Sequence, residues 1–459
     1  MNAFPIPPRN RFATPPAGKC SGWLTQKQKR SRRMSKLSPL IALLWLALFL
    51  PAVFLKDMVS LAAIRAARSR IQDTIRLTPC LYSENLSRES GSVLYLKLES
   101  LNVTGAFKER GALNRILLLS EQERARGVIA ASAGNHAQGV ACHACRRGIR
   151  AQICMPMFTP LVKVSATRAW GAEVILHGSN FEESLAEARR RESAEGLTFI
   201  HSFEDEAVIA GQGTIGLELL EQVPDLDAVV VPVGGGGLIG GIACALKESK
   251  PSLRVIGVQT SALPSMKAAL EARQPILLDP AATIADGIAV RQAGSVPLEL
   301  VEKYVDDLVL VDDEEIAIAI LRLLETQKLL AEGAGAAGMA ALLHKKTRLE
   351  GKRVAAIIGG GNIDVILLSR IIERGLVRDG RLVRLRIPLP DHPGALQRLT
   401  TILAEGHANI VQVIHDRAYF GVHLGEGIVD ITVETRGREH AGELLRMLAG
   451  TGYRYERVL

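Results

Sequence analysis

Short apolar runs that stop at small residues organise most of this chain. Gly127-Val-Ile-Ala leads into Ala130-Ala-Ser-Ala-Gly-Asn-His-Ala-Gln-Gly139, and the Val140-Ala-Cys-His-Ala-Cys that follows reads as a helix. Val229-Val-Val-Pro-Val leads into Gly234-Gly-Gly-Gly and then into a second helical stretch from Leu238. Val354-Ala-Ala-Ile-Ile leads into Gly359-Gly-Gly-Asn-Ile-Asp364. Runs this short, apolar at successive positions and bounded by glycine, predict buried strands rather than helices. Strands alternating with helices predict an α/β fold.

Beyond Leu376-Val-Arg-Asp-Gly-Arg381, which reads as a linker, the period changes. Leu382 to Pro390 alternates apolar and polar, as a half-buried strand does. Pro393-Gly-Ala-Leu-Gln-Arg-Leu-Thr-Thr-Ile-Leu403 reads as an amphipathic helix after a Pro-Gly turn. Ala408–His415 and Gly427–Glu434 read as strands, Arg438–Ala449 as a helix and Tyr453–Val458 as a last strand. The order β-α-β-β-α-β predicts a ferredoxin-like unit over 382–459. At the other end, Leu37 to Leu55 is nineteen residues without a charge, preceded by Lys27-Gln-Lys-Arg-Ser-Arg-Arg33.

Charge separates that first segment from the rest. Residues 1–57 hold ten Lys/Arg and one acid, whereas the whole chain nets +8, so residues 58–459 are close to neutral. The basic character belongs to the tail, and the body offers no case for nucleic-acid binding. The apolar run reads three ways: as sequence upstream of a true start at Met58, as an inner-membrane anchor long enough to span a bilayer, or as a cleaved targeting segment. The six cysteines are dispersed, and Cys142 and Cys145 stand in the helix after the Asn-His turn, where they read as packing residues. That usage fits a reducing, cytoplasmic setting.

The chemistry starts at Lys108, in Glu99-Ser-Leu-Asn-Val-Thr-Gly-Ala-Phe-Lys-Glu-Arg-Gly-Ala112. A lysine between a glycine turn and a helical run is well placed to hold an aldehyde, provided its site frees the neutral amine. By itself such a lysine is usually a solvated surface residue. The turn around Ser132, Asn135 and His136 exposes backbone N–H groups suited to a carboxylate, though it also reads as an ordinary capped turn. The Gly234–Gly237 turn before a helix suits a phosphate dianion. It is neither dinucleotide-binding, since Arg254-Val-Ile-Gly-Val-Gln259 ends in Gln rather than an acid, nor a nucleotide P-loop, since Gly-Lys-Ser/Thr is missing.

In this order and spacing the four segments resemble the fold-type II family of pyridoxal-phosphate (PLP) enzymes, and within it the threonine dehydratase (threonine ammonia-lyase) group. The likeness runs from about Met58 to Leu376 and includes Thr78-Pro79, Gly211-Gln-Gly-Thr-Ile-Gly216, Thr283-Ile-Ala-Asp-Gly287 and Leu330-Ala-Glu-Gly-Ala-Gly335. It implies two open twisted α/β subdomains, a catalytic domain over 58–375, and a linker over 376–381. It implies PLP held covalently by Lys108, with its phosphate on Gly234, Gly235, Gly236, Gly237 and Leu238 and its ring hydroxyl on Asn135. It implies a substrate carboxylate gripped by the loop of Ser132, Asn135 and His136, with His136 acting through its backbone N–H rather than as a base. With Asp391-His-Pro-Gly394 and Ala408-Asn-Ile410, the unit over 382–459 resembles an ACT regulatory domain. That implies edge-on pairing, a homo-oligomer and an amino-acid effector, Ile or Val.

The implied reaction is PLP-dependent deamination of L-threonine to 2-oxobutanoate and ammonia, with L-serine as a second substrate. Two positions depart from the family. Gly359 stands where Ser, Thr or Cys is usual beside the pyridine nitrogen, so no side chain meets the ring there and the electron sink is weakened. Ala106 replaces a common Ser. Ala133 occupies the position of the reprotonating serine of serine racemases, which speaks against racemisation, and Gln259 replaces a glutamate metal ligand, so no metal is expected. Serine or hydroxyaspartate dehydration remains open. So does a PLP-bound amino-acid sensor that turns nothing over. A cysteine-synthase type of β-replacement is opposed by the Thr283–Gly287 segment and the ACT-like unit.

Overall fold

The computed structural model describes residues 59–417 and 423–458; the apolar run 37–55 lies outside them. Among the described residues no helix is long and apolar enough to cross a membrane.

Three sheets carry the fold. The largest orders its strands β1-β2-β10-β7-β8-β9, namely Cys80–Tyr82, Val93–Leu98, Arg353–Ile358, Ala228–Pro232, Arg254–Thr260 and Asp307–Val311. All neighbours are parallel except β1 with β2. Its central strands are buried on both faces. Val229, Val231 and Val233 pack with Ile209, Ile239 and Ile242, while Ala228 and Val230 pack with Ala336, Met339 and Ala340. This is why the sequence there shows continuous rather than alternating apolar residues. The second sheet is parallel throughout, in the order β5-β4-β3-β6: Glu173–Leu176, Ala151–Met155, Val128–Ala131 and Thr198–Phe199.

The helix Lys108–Leu117 joins the two sheets. It is pinned to the end of β10 by Phe107 N–H donating to Gly359 O (3.0 Å) and Gly361 N–H to Gly105 O (2.9 Å). It crosses the helix Glu206–Gln222 at glycine on glycine: a Cβ on Gly211 would lie 2.6 Å from the Cα of Gly111. Beneath it, Arg110 is fully buried. Its Nε and Nη2 donate to Glu99 at 2.7 and 2.9 Å, and Nη1 donates to Glu218 at 2.6 Å. Lys97 closes the cluster, its Nζ donating to Thr78 O (2.7 Å) and to Glu218. Two cations and two carboxylates therefore neutralise one another where any one alone would be prohibitively costly to bury.

The third sheet is antiparallel, in the order β12-β13-β11-β14: Asn409–Asp416, Glu426–Glu434, Leu382–Pro390 and Glu456–Arg457. With the helices Ala395–Glu405 and Arg438–Gly450 this is the expected β-α-β-β-α-β unit. Val383, Leu385, Ile387 and Leu389 point into its own core and the residues between them point out. The expected linker 376–381 is shorter than its reading. The helix Val365–Arg378 runs through its first half, and the connection is Asp379–Arg381. Nothing breaks a helix before Gly380, which adopts φ 68° and ends it.

Candidate active site

One cavity of about 650 Å³ lies between the two parallel sheets, at the ends of β3, β7 and β10. Lys108, Ser132, Asn135, His136, Gly234, Gly235, Gly236, Gly237, Leu238 and Gly359 all line it. Residues up to 251 positions apart in sequence thus converge because three strand ends face one crevice.

Lys108 opens its helix and its Nζ donates to Ser202 O at 3.0 Å, with the Phe107 ring centroid 5.2 Å away. Burial pushes its ammonium down to about 8, and the charge of Glu332 opposes that shift. Near neutral pH an appreciable fraction is therefore the free amine. The helix Gly237–Ser249 begins at Gly236, whose φ of 95° suits glycine, and its first residues, Gly237 and Leu238, line the cavity. A Cβ on Gly235 would lie 2.5 Å from the Phe203 ring, and one on Gly237 2.9 Å from Phe203 Cα. The cradle admits only bare backbone.

Ser132 follows β3, its N–H donating to Cys154 O (3.1 Å) and its Oγ accepting from Gly134 N–H (3.2 Å). His136 is buried and donates through Nε2 to Ile200 O (2.9 Å). Burial, then the charge of Lys108, holds it down at about 3, so it stays neutral. Gly359 faces the Phe107 ring: a Cβ there would meet Cδ1 at 3.4 Å. Ala133 also lines the cavity. Gln259 is buried in β8 and accepts from Lys267 N–H (3.0 Å).

Among the cavity residues left without a role by the sequence alone, two touch Asn135. Glu332 lies in Leu330–Gly335, a segment of the family resemblance that carried no role for this residue. Its Oε1 accepts from Asn135 Nδ2 (2.7 Å). Burial and the charge of Asp286 push it up to about 7, against the Asn135 bond, Lys163 and Lys108. Asn362 donates through Nδ2 to both Asn135 Oδ1 (2.8 Å) and Thr104 O (2.8 Å). At the mouth, Lys163 pairs with Asp286, and Arg291 with Glu182 at 2.5 Å.

A buried amine, a side-chain-free phosphate cradle and a donor-lined loop define an aldehyde-cofactor enzyme, and these residues fit pyridoxal phosphate. The family model described as "Pyridoxal-phosphate dependent enzyme" matches residues 71–360. The L-threonine ammonia-lyase of Thermotoga maritima is 49% identical over 396 residues, covering 86% of this chain and 98% of that one. That of Geobacter sulfurreducens is 47% identical over 397 residues, with the same coverage of 86% and 98%. Among solved structures, the processed form of threonine deaminase isoform 2 from Solanum lycopersicum matches with TM-score 0.66 at 37% identity, over 68% of this chain and 86% of that one. Maize serine racemase matches with TM-score 0.66 at 34% identity, over 70% and 99%. The chain belongs to the pyridoxal-phosphate dependent enzymes and groups with the threonine ammonia-lyases. Its cofactor is pyridoxal phosphate.

Proposed function

We propose that this protein deaminates L-threonine to 2-oxobutanoate and ammonia, and L-serine to pyruvate. The observation that carries this is a buried, deprotonatable lysine between a phosphate cradle and a carboxylate loop, in a chain 49% identical, over 86% of its own length, to an L-threonine ammonia-lyase. When bound, the cofactor supplies an aldehyde for Lys108 and an electron sink for charge at the substrate's Cα. The chain supplies the rest. The backbone N–H groups of Gly234 to Leu238 would hold the phosphate, and Asn135 would donate to the ring oxygen. The loop of Ser132, Asn135 and His136 grips the substrate carboxylate, turning the Cα proton towards Lys108. The neutral Nζ of Lys108 takes that proton. His136, held neutral, orients the loop and moves no proton.

Residues 58–375 form the catalytic domain in this reading, and 382–459 an ACT-like domain that binds an amino acid, Ile or Val, in a homo-oligomer. The free thiols of Cys80, Cys142, Cys145, Cys154 and Cys244 fit work in a reducing cytoplasm. A keto-acid assay on L-threonine and L-serine tests the activity. 2-Oxobutanoate formed by the native protein and lost by several orders of magnitude in Lys108→Ala supports it, because base and covalent anchor go together. No keto acid from either substrate with the cofactor bound turns the reading towards a sensor.

A further inference from the structure

We propose that Glu332 is a positioning residue whose carboxyl locks the Asn135 side-chain amide so that an N–H, and not the carbonyl oxygen, faces the cofactor. This rests on the reading of Asn135 as the partner of the ring oxygen. Glu332 is the N-cap residue of the helix Gly333–Leu343, yet its side chain caps nothing there. Asp, Asn, Ser and Thr are the side chains that accept from their own helix's first turn, and Glu, one methylene longer than Asp, is free to reach elsewhere. Here the carboxyl turns away and accepts from Asn135 instead, at 2.7 Å.

The surroundings are cut to fit that arrangement. A Cβ on Gly360 would lie 2.9 Å from Glu332 Cδ and 3.1 Å from Asn135 Nδ2, and one on Gly287 would lie 3.5 Å from Glu332 Oε1. Glu332 N–H donates to Gly360 O (3.0 Å), which ties the cap to the end of β10. On its other side Asn135 accepts from Asn362 Nδ2 at 2.8 Å. An amide's two ends are alike in shape and opposite in polarity. With an acceptor on one side and a donor on the other, a flip sets oxygen against oxygen and N–H against N–H. The remaining N–H of Asn135 then has one fixed direction. Asn135 follows the second sheet's β3, while Glu332 and Asn362 flank β10 of the first, so the lock also spans the crevice.

The charged groups that act on Glu332 are Asp286, Lys163 and Lys108, and burial with Asp286 raises its carboxyl to about 7. Glutamine keeps the side chain's length and an oxygen that accepts from Asn135, so it preserves the contact without the charge. The test is therefore the pair Glu332→Gln and Glu332→Ala, each loaded with cofactor and without substrate. Cofactor dissociation constant and absorbance maximum are measured across pH, with thermal unfolding as the control for folding. Glu332→Ala is expected to bind cofactor about tenfold or more weakly and to shift its absorbance, and Glu332→Gln to stay within about threefold of the native protein. Native affinity and spectrum in Glu332→Ala overturn the proposal, as does equal damage in both variants. Should Glu332→Ala fail to fold, Asn362→Ala removes the other half of the lock. Weakened binding with a shifted absorbance supports the proposal there, and native behaviour overturns it. None of these readouts needs turnover, so they are independent of whether threonine is the substrate.

Discussion

Lys108 differs from the chain's solvated lysines by its burial, which holds its ammonium down at about 8. The sign of the resulting pH dependence is fixed. Only the deprotonated amine attacks an aldehyde, and its fraction grows as pH rises through about 8. Cofactor-free protein should therefore bind pyridoxal phosphate covalently about tenfold faster for each pH unit gained below that value, then level off. Stopped-flow absorbance checks this; a midpoint above pH 10 would show that the site leaves the lysine unperturbed. His136, neutral down to about 3, adds no inflection between pH 5 and 9. Gly359 has no left-handed φ, and a side chain there meets Phe107 at an ordinary 3.4 Å. Gly359→Ser should thus fold normally and shift the cofactor's spectrum or pH profile by offering the ring nitrogen a hydroxyl. An unchanged spectrum and rate would mean that residue 359 does not face that nitrogen.

At the scale of elements, the helix Lys108–Leu117 is the part on which the site depends. Gly111 and Gly211 let it approach the helix Glu206–Gln222, and Arg110 ties it to Glu99 and Glu218 from beneath. Replacing all four charges with well-packed apolar residues would be close to neutral, but removing one leaves a buried charge short of its counter-ion. Arg110→Met strands Glu99 and should cost about 3–5 kcal/mol of stability. Urea denaturation measures this, and a loss below about 1 kcal/mol would show that water reaches the cluster. Cofactor affinity should fall with it, since Lys108 lies two residues away on the same turn.

For the whole molecule, the C-terminal unit over 382–459 has a core of its own, and side-chain hydrogen bonds link it and its connection to the part before it. Arg381 Nη1 donates to Glu325 (2.8 Å) and Arg438 Nε to Arg378 O (3.1 Å). A chain ending at Arg381 should keep cofactor binding and turnover and lose any response to isoleucine or valine. An amino acid there acts only by favouring one arrangement of catalytic units over another. A persistent response in the shortened chain would place the effector site in the catalytic part.

What could be read from the sequence was local. Runs such as Val229–Val233 are strands because their residues are apolar at every position, and Leu382–Pro390 is a half-buried strand because they alternate. Glycine turns and a lysine before a helix are short-range patterns, and their order and spacing resembled one family, so Lys108, Ser132, Asn135, His136 and Gly234–Gly237 could be singled out; all line one cavity. The helix runs on through Leu376–Arg378, inside the expected linker, because the boundary is set by the backbone of Gly380, which no side-chain pattern marks. Glu332 and Asn362 were invisible as site residues for a different reason. Their roles come from meeting Asn135 across the crevice, 197 and 227 positions away in the chain, and no local pattern encodes that meeting. The same holds for the values near 8 and 7 at Lys108 and Glu332. A side chain's ionisation is set by what buries it and which charges face it, and only the packed fold brings those together.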